Sequence, residues 1–273
     1  MTQWPSHNPQ PSEGINNPRR SALGEFAVLA LGIAVGAALL AGLLALLAGW
    51  LAPYIPFSWE ERATRAFASD SAADSEAETA LRRLGNRLAA DAELPEEIRP
   101  RFHLIESPMA NAFATFGGHI VVTSELVRQV SSENALSMVV AHEIAHVAKR
   151  HPIATLTRTA VFQLVWTTVV GGGNADIAGI TGRAGHVTGL SFNRDMERAA
   201  DRAALATLHR HYGHARGANE FFKHMAERRD ETEWQSFFAS HPATQERIAA
   251  IDEATDGARE RPLTPLPPAL EDL

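Results

Sequence analysis

The longest apolar run in the chain covers residues 26–52, carries no charge, and is built mostly from Leu, Ala, Val and Gly. About 20 such residues cross the hydrocarbon core of a bilayer, and the extra length leaves room for tilt. Two other readings compete. A buried core helix is seldom apolar on every face for so many turns. The apolar region of a cleaved signal peptide is about 7–15 residues, too short to describe this block. The pattern therefore predicts a retained transmembrane anchor over residues 25–53. Trp50, Tyr54 and Trp59 lie at or just past its end, at the level where interfacial aromatic residues gather. Ahead of the anchor, residues 1–24 are rich in Pro, Ser and Asn without apolar periodicity and read as a disordered tail.

Beyond the anchor the pattern changes to short amphipathic elements. Ala80, Leu81, Leu84 and Leu88 recur at helical spacing and predict a helix over residues 74–92, which the Pro95 to Pro100 stretch ends. Residues 102–105 and 112–116 read as strands. Gly117-Gly118 makes a turn, and residues 119–122 form a third strand that folds back as a hairpin. Thr123 and Ser124 are capping residues for a short helix. Ser131 and Ser132, with Glu133 in the first turn, open a longer helix that Pro152 ends or closely follows. Residues 195–208 are good helix formers. Past Arg261 the Pro-rich segment reads as an extended tail. The expected architecture is mainly α with a small β-sheet (α+β). One domain over 60–258 follows the transmembrane helix, with a C-terminal tail over 259–273.

Charge and composition narrow the function. The formal net charge is −7 with acids and bases interspersed, which excludes the basic face or stripe of a nucleic-acid binder. Cysteine is absent, so there is no disulfide framework and no thiolate metal site; any zinc is held by His, Asp or Glu. Arg19 and Arg20 precede the anchor while Glu60, Glu61, Arg62 and Arg65 follow it. The Lys/Arg rule then leans only slightly towards a cytoplasmic N-terminus, which puts the large C-terminal part outside the cytoplasm.

His142-Glu143-Ile144-Ala145-His146 is an H-E-x-x-H motif on the longer helix. Four residues make about one turn, so both imidazoles project from one face and can share an ion. Glu143 follows the first ligand and can reach a bound water as general base without itself taking the metal. Two ligands do not make a site, and in a chain with 12 His the motif needs a third. Glu197 and Asp201 stand four residues apart on one face of the later helix, among Ala199, Ala200, Ala203 and Ala204. These small residues allow close approach to the His-bearing helix. Glu197 would then complete a His-His-Glu zinc site with one open position, and Asp201 would accept the outer N–H of a ligand imidazole. The competing reading, two solvated charges on an exposed face, loses its force beside the His pair.

H-E-x-x-H, then Glu197-Arg198-Ala199-Ala200-Asp201, then Ser240-His241-Pro242 followed by Arg247, resembles the HtpX-like and CAAX-prenyl-protease group of zinc metallopeptidases. Asn111-Ala112-Phe113-Ala114 and Gly117-Gly118-His119-Ile120 are similar to the hairpin that precedes the motif helix in that group. The resemblance implies a zincin-type metalloprotease core with one Zn2+ per chain. It implies that His241 and Arg247 lie near the metal, stabilising an oxyanion or bracing Glu197. It also implies an edge strand near Asn111, His119, Ile120 and Val121 that takes substrate as an added strand, a mode with little side-chain selectivity. The partners it implies are polypeptides, misfolded or membrane-associated, met in protein quality control at a membrane surface. The expected location is a bacterial inner membrane, with the catalytic domain on the periplasmic side. HtpX-type members carry further spans between the two metal motifs. Here residues 159–192 hold only one short apolar run, 160–170, interrupted by Gly171-Gly172-Gly173-Asn174, and read as a buried or covering segment. His151, Gly185 and His186, in or beside that region, read as structural. A chaperone or scaffold using the fold without turnover is the alternative. An intramembrane prenyl-protein protease would need a multispan chamber that this chain lacks.

Overall fold

The computed structural model describes residues 21–65, 75–170, 192–227, 241–242, 245–258 and 260–273. The N-terminal tail with Arg19 and Arg20, the Gly171 to Asn174 interruption, Gly185, His186 and Ser240 lie outside the described residues.

The anchor run is helix α1, Ala22–Leu51, capped by the Ser21 hydroxyl, which accepts from the Gly24 amide. Its leucines face outward almost throughout, and among the described residues it is the helix long and apolar enough to cross a membrane. A short 3-10 turn, Ala52–Tyr54, leads into α2, Phe57–Arg65. Glu60 on α2 accepts from the Gly117 amide at 2.9 Å and pairs with Arg150, which also donates to the Ile55 carbonyl at 2.7 Å. The chain leaving the anchor is thus tied both to the hairpin turn and to the end of the His-bearing helix.

Helix α3, Glu76–Asp91, starts on a Ser75 cap and packs Leu81, Leu84 and Leu88, all fully buried, against the sheet. Each such side chain stabilises the fold by about 1.5–3 kcal/mol. The contact is so close at Gly85 that a Cβ there would stand 2.6 Å from the Phe102 ring. Ala is favoured over Gly in a helix by about 1 kcal/mol, but forcing atoms into a filled core costs about 1–3 kcal/mol. We therefore expect Gly85→Ala to lower the denaturant midpoint despite its better helix propensity; a raised midpoint would contradict this packing.

The sheet has three strands, β1 (Arg101–Ile105), β2 (Ala112–Ala114) and β3 (His119–Thr123), in the order β1-β3-β2. β2 and β3 form the expected antiparallel hairpin, with Phe113 opposite Val121. The turn depends on Gly117 and Gly118, both at positive φ, with Thr64 and Phe57 crowding the space a side chain would need. β1 pairs parallel to the other side of β3. The strand expected at the edge is therefore the central one. His119, Ile120 and Val121 have strand neighbours on both sides, and their backbone cannot take an added strand. Among the described residues the edge strands are β1 and β2, and β2, which begins just after Asn111, packs on the His-bearing helix. A parallel partner arrives through a crossover that leaves no local turn signal, which is why the pattern alone missed it.

Thr123 caps α4 (Ser124–Arg128) and Ser132 caps α5 (Glu133–Ala148), each hydroxyl accepting an amide from the first turn. α5 is buried from Glu133 to Val147. Arg150, at φ 60, breaks the helix. Pro152 then sits in the first turn of α6, His151–Val170, where its missing N–H is harmless. α6 runs along α1; residues 171–191 of the expected covering segment lie outside the described residues. Asn193 caps α7 (Arg194–Tyr212), which crosses α5. α8 (Ala218–Glu227), α9 (Gln245–Asp256) and the short α10 (Pro268–Glu271) complete the described helices. The Pro-rich segment is docked rather than free. Thr264 exchanges hydrogen bonds with Asn134 and Glu133 at 2.7 and 2.9 Å, and Leu270 is buried in the core.

Candidate metal centre

α5 and α7 meet across the fully buried Ala200 and Ala204, as the small-residue pattern requires. The crossing aims His142 and His146 from α5 and Glu197 from α7 at one point, and His241, just ahead of α9, joins them. One donor atom from each lies within 4.8 Å of all the others. His142 Nε2 is 3.0 Å from His146 Nε2 and 3.4 Å from Glu197 Oε2; His146 Nε2 is 3.4 Å from Glu197 Oε1. His241 Nδ1 is 3.3 Å from His142 Nε2 and 3.1 Å from Glu197 Oε1.

These distances test the fit. Four donors about 2.1 Å from a central ion at tetrahedral angles stand about 3.4 Å from one another, close to the spacing observed. Three imidazoles and a carboxylate facing one point, all at most 2 % exposed, form a donor set suited to a divalent cation.

The surrounding groups hold the donors in place. His142 Nδ1 is 3.0 Å from Asp201 Oδ1. Arg247 makes a two-pronged contact with Asp201 at 2.7 and 2.8 Å, reaches Glu197 Oε2 at 2.6 Å and donates to the Pro242 carbonyl at 2.9 Å. One guanidinium therefore braces a donor, the partner of a second, and the backbone beside a third. His146 Nδ1 is 2.9 Å from His151 Nδ1, and the Phe192 ring stacks on His146 with centroids 4.0 Å apart.

Electrostatics follow from this burial. Desolvation pushes the Glu197 carboxyl up, but hydrogen bonds from His142, His146 and His241 outweigh it and hold the group well below the usual carboxylate range. Burial lowers His142, yet its bonds to Asp201 and Glu197 prevail and bring it up to about 10. The negative potential that favours a proton there favours a cation equally. Burial dominates at His146 and carries it well below its ordinary value. Burial, then Lys149, lowers His151 to about 4. Asp201 is pushed up by burial and pulled further down by Arg247 and His142.

Glu143 stands apart from the donor set. Both its oxygens are buried with no hydrogen-bond partner among the described residues, one of them 3.4 Å from His241 Nε2. Burial raises its carboxyl above the ordinary value, against the opposing His241 and His142 rings. A buried, unsatisfied carboxylate facing the donors is placed to accept a proton from a molecule in the site.

The structure thus brings His142, His146, Glu143, Glu197, Asp201, His241 and Arg247 together, and leaves His119, Ile120 and Val121 in the middle of the sheet. Sequence reasoning read His151 as structural and did not single out Phe192. His151, five residues beyond His146, was a usable signal, whereas nothing near Phe192 marks it.

The model of peptidase family M48 matches residues 75–255, more than half of the chain. Among curated relatives, the beta-barrel assembly-enhancing protease of Yersinia pestis is 32% identical over 179 residues, covering 61% of this chain and 36% of that protein. A putative beta-barrel assembly-enhancing protease of Vibrio cholerae is 31% identical, covering 69% and 40%. The mitochondrial metalloendopeptidase OMA1 of Schizosaccharomyces pombe is 27% identical, covering 58% and 47%. The matched region spans less than half the length of each of these relatives. With the two helical motifs, the late His and Arg, and the family model agreeing on one segment, this chain belongs to peptidase family M48.

Proposed function

We propose that the protein is a membrane-anchored zinc metalloendopeptidase that cuts polypeptides in protein quality control at a membrane surface. The observation that carries this reading is the convergence of His142, His146, Glu197 and His241 on one point, with the unsatisfied Glu143 carboxylate beside them. The names of the relatives, proteases and a metalloendopeptidase, support it. We place it as a single-pass protein of a bacterial inner membrane, a reading supported by the one candidate span among the described residues and the bacterial relatives, with the catalytic domain on the periplasmic side, towards which the slight Lys/Arg balance leans.

His142, His146 and Glu197 would hold the zinc. Bound there, zinc would supply Lewis acidity, lowering the pKa of water towards about 7 and polarising a carbonyl. Glu143 takes the proton of the attacking water and delivers it to the leaving amine. Asp201 orients His142 and Arg247 braces Glu197, so both keep their geometry through turnover. His241, 3.1 Å from Glu197 and 3.4 Å from Glu143, would stabilise the substrate's developing oxyanion. Substrate adds as an extended strand to the open edge of β2, the strand that packs on α5.

The test is cleavage of an unfolded polypeptide by the purified full chain. We expect turnover that stops with a chelator and returns with added zinc. Binding of unfolded protein without any cleavage would instead favour the chaperone reading.

A further inference from the structure

Each motif histidine presents Nε2 to the common point and meets another side chain through Nδ1. For His142 that partner is Asp201, which Arg247 pins in turn. For His146 it is His151. Their Nδ1 atoms stand 2.9 Å apart and the rings meet edge to face, with centroids 4.9 Å apart. Both side chains are buried. A nitrogen that binds a metal needs its lone pair, so a ligating His146 carries its proton on Nδ1. Two N–H groups cannot face each other at hydrogen-bond distance. His151 therefore offers a lone pair at Nδ1, stays neutral and keeps its own proton on Nε2.

An unusual turn of the backbone puts His151 there. On an unbroken helix of about 3.6 residues per turn, a residue five places on lies about 140° round the axis and faces away. α5 instead ends at Ala148, and Arg150 takes φ 60, a left-handed conformation that bulky side chains seldom adopt. The first residue of α6, His151, then reaches back to His146. Contacts from the far side hold the turn. Arg150 donates to the Ile55 carbonyl at 2.7 Å, pairs with Glu60, and has its guanidinium 5.4 Å from the centre of the Phe57 ring. All three partners belong to the segment that follows α1. Phe192 stacks on the His146 face, so one neighbour fixes the plane of the ring and the other its rotation within that plane.

We propose that His151 is a positioning residue for the zinc ligand His146. It accepts the Nδ1–H, fixes the tautomer that frees Nε2 for the ion, and holds the aim of the ring. This deepens the zinc reading above and rests on it. The two motif histidines are then held by different chemistry. Asp201 brings a buried negative charge that Arg247 balances, whereas His151 brings none. A neutral acceptor aims the second imidazole without adding a buried charge that would need a counter-ion of its own.

The test is zinc titration against a chromophoric chelator with the purified full chain, comparing wild type, His151→Leu and His151→Asn. Leu and Asn are close in shape and both remove the ring, but only Asn places an oxygen near the position of Nδ1. We expect His151→Leu to bind zinc about 10–100-fold more weakly, the usual loss when an outer partner goes, and His151→Asn to bind close to wild type. Equal affinity in all three chains overturns the proposal. So does an equal loss in both variants, which would mean that the ring serves packing alone. A second measurement needs neither variant to fold. In wild type with zinc bound and isotopically labelled histidine, one imidazole N–H should show magnetic coupling to a nitrogen of a second ring, and its absence overturns the proposal. A wild-type chain that takes up no zinc overturns the zinc reading itself.

Discussion

Glu143→Gln protein is expected to retain its zinc and to cleave unfolded polypeptide about 10²–10⁴-fold more slowly than wild type, the usual contribution of a positioned general base. The side chain is fully buried and lies outside the donor set, so an amide of the same shape leaves the metal's surroundings intact. It removes a group that can accept a proton, and with it the relay from water to leaving amine. Folding should not suffer, because burial already disfavours the charged carboxylate here. The check is three measurements on one preparation: initial rate, metal content and melting temperature. Wild-type turnover by the variant would remove Glu143 from the mechanism.

Arg247→Ala should show the reverse pattern, a structural loss that reaches the metal. Arg247 is 3 % exposed and contacts both Asp201 and Glu197. Removing it leaves two buried carboxylates without their shared counter-charge, a change that costs about 3–5 kcal/mol. For a chain of this size that is a fall in melting temperature of about 6–20 °C. The backbone carbonyl of Pro242 also loses its donor, so His241 should lose its place in the donor set. Zinc should bind more weakly even where the protein remains folded, which calorimetric melting and metal titration would detect separately. A variant with wild-type melting and unchanged zinc affinity would mean that Arg247 is not the brace described here.

Most of this site was legible because helical periodicity is local. Spacing of four residues puts His142 beside His146 and Glu197 beside Asp201 whatever the rest of the chain does, and the alanines of α7 indicate that another helix comes close. The anchor was legible for the same reason, as a length of unbroken apolar sequence. What escaped depended on distant parts of the chain. That β3 is central follows from β1 pairing on its far side through a crossover, and no residue in β3 records that. Pro152 marked a boundary, but the break comes at Arg150, whose positive φ is sustained by Glu60 and Ile55 across the fold. The run over residues 160–170 was too short to read as a span, and only its position beside α1 gives it a place. The docked C-terminal segment was equally hidden, since prolines describe a backbone preference and not the surface it rests on.

Two helices closing so that imidazoles from one and a carboxylate from the other hold the same ion can be tested by zinc titration against a chromophoric chelator, comparing wild type with Glu197→Ala. The wild-type chain should take up one equivalent. The variant loses its carboxylate donor and leaves the Arg247 guanidinium facing the ion. It should bind zinc more weakly by more than the roughly 10–100-fold that loss of an outer partner costs. One equivalent bound with unchanged affinity in the variant would contradict the account.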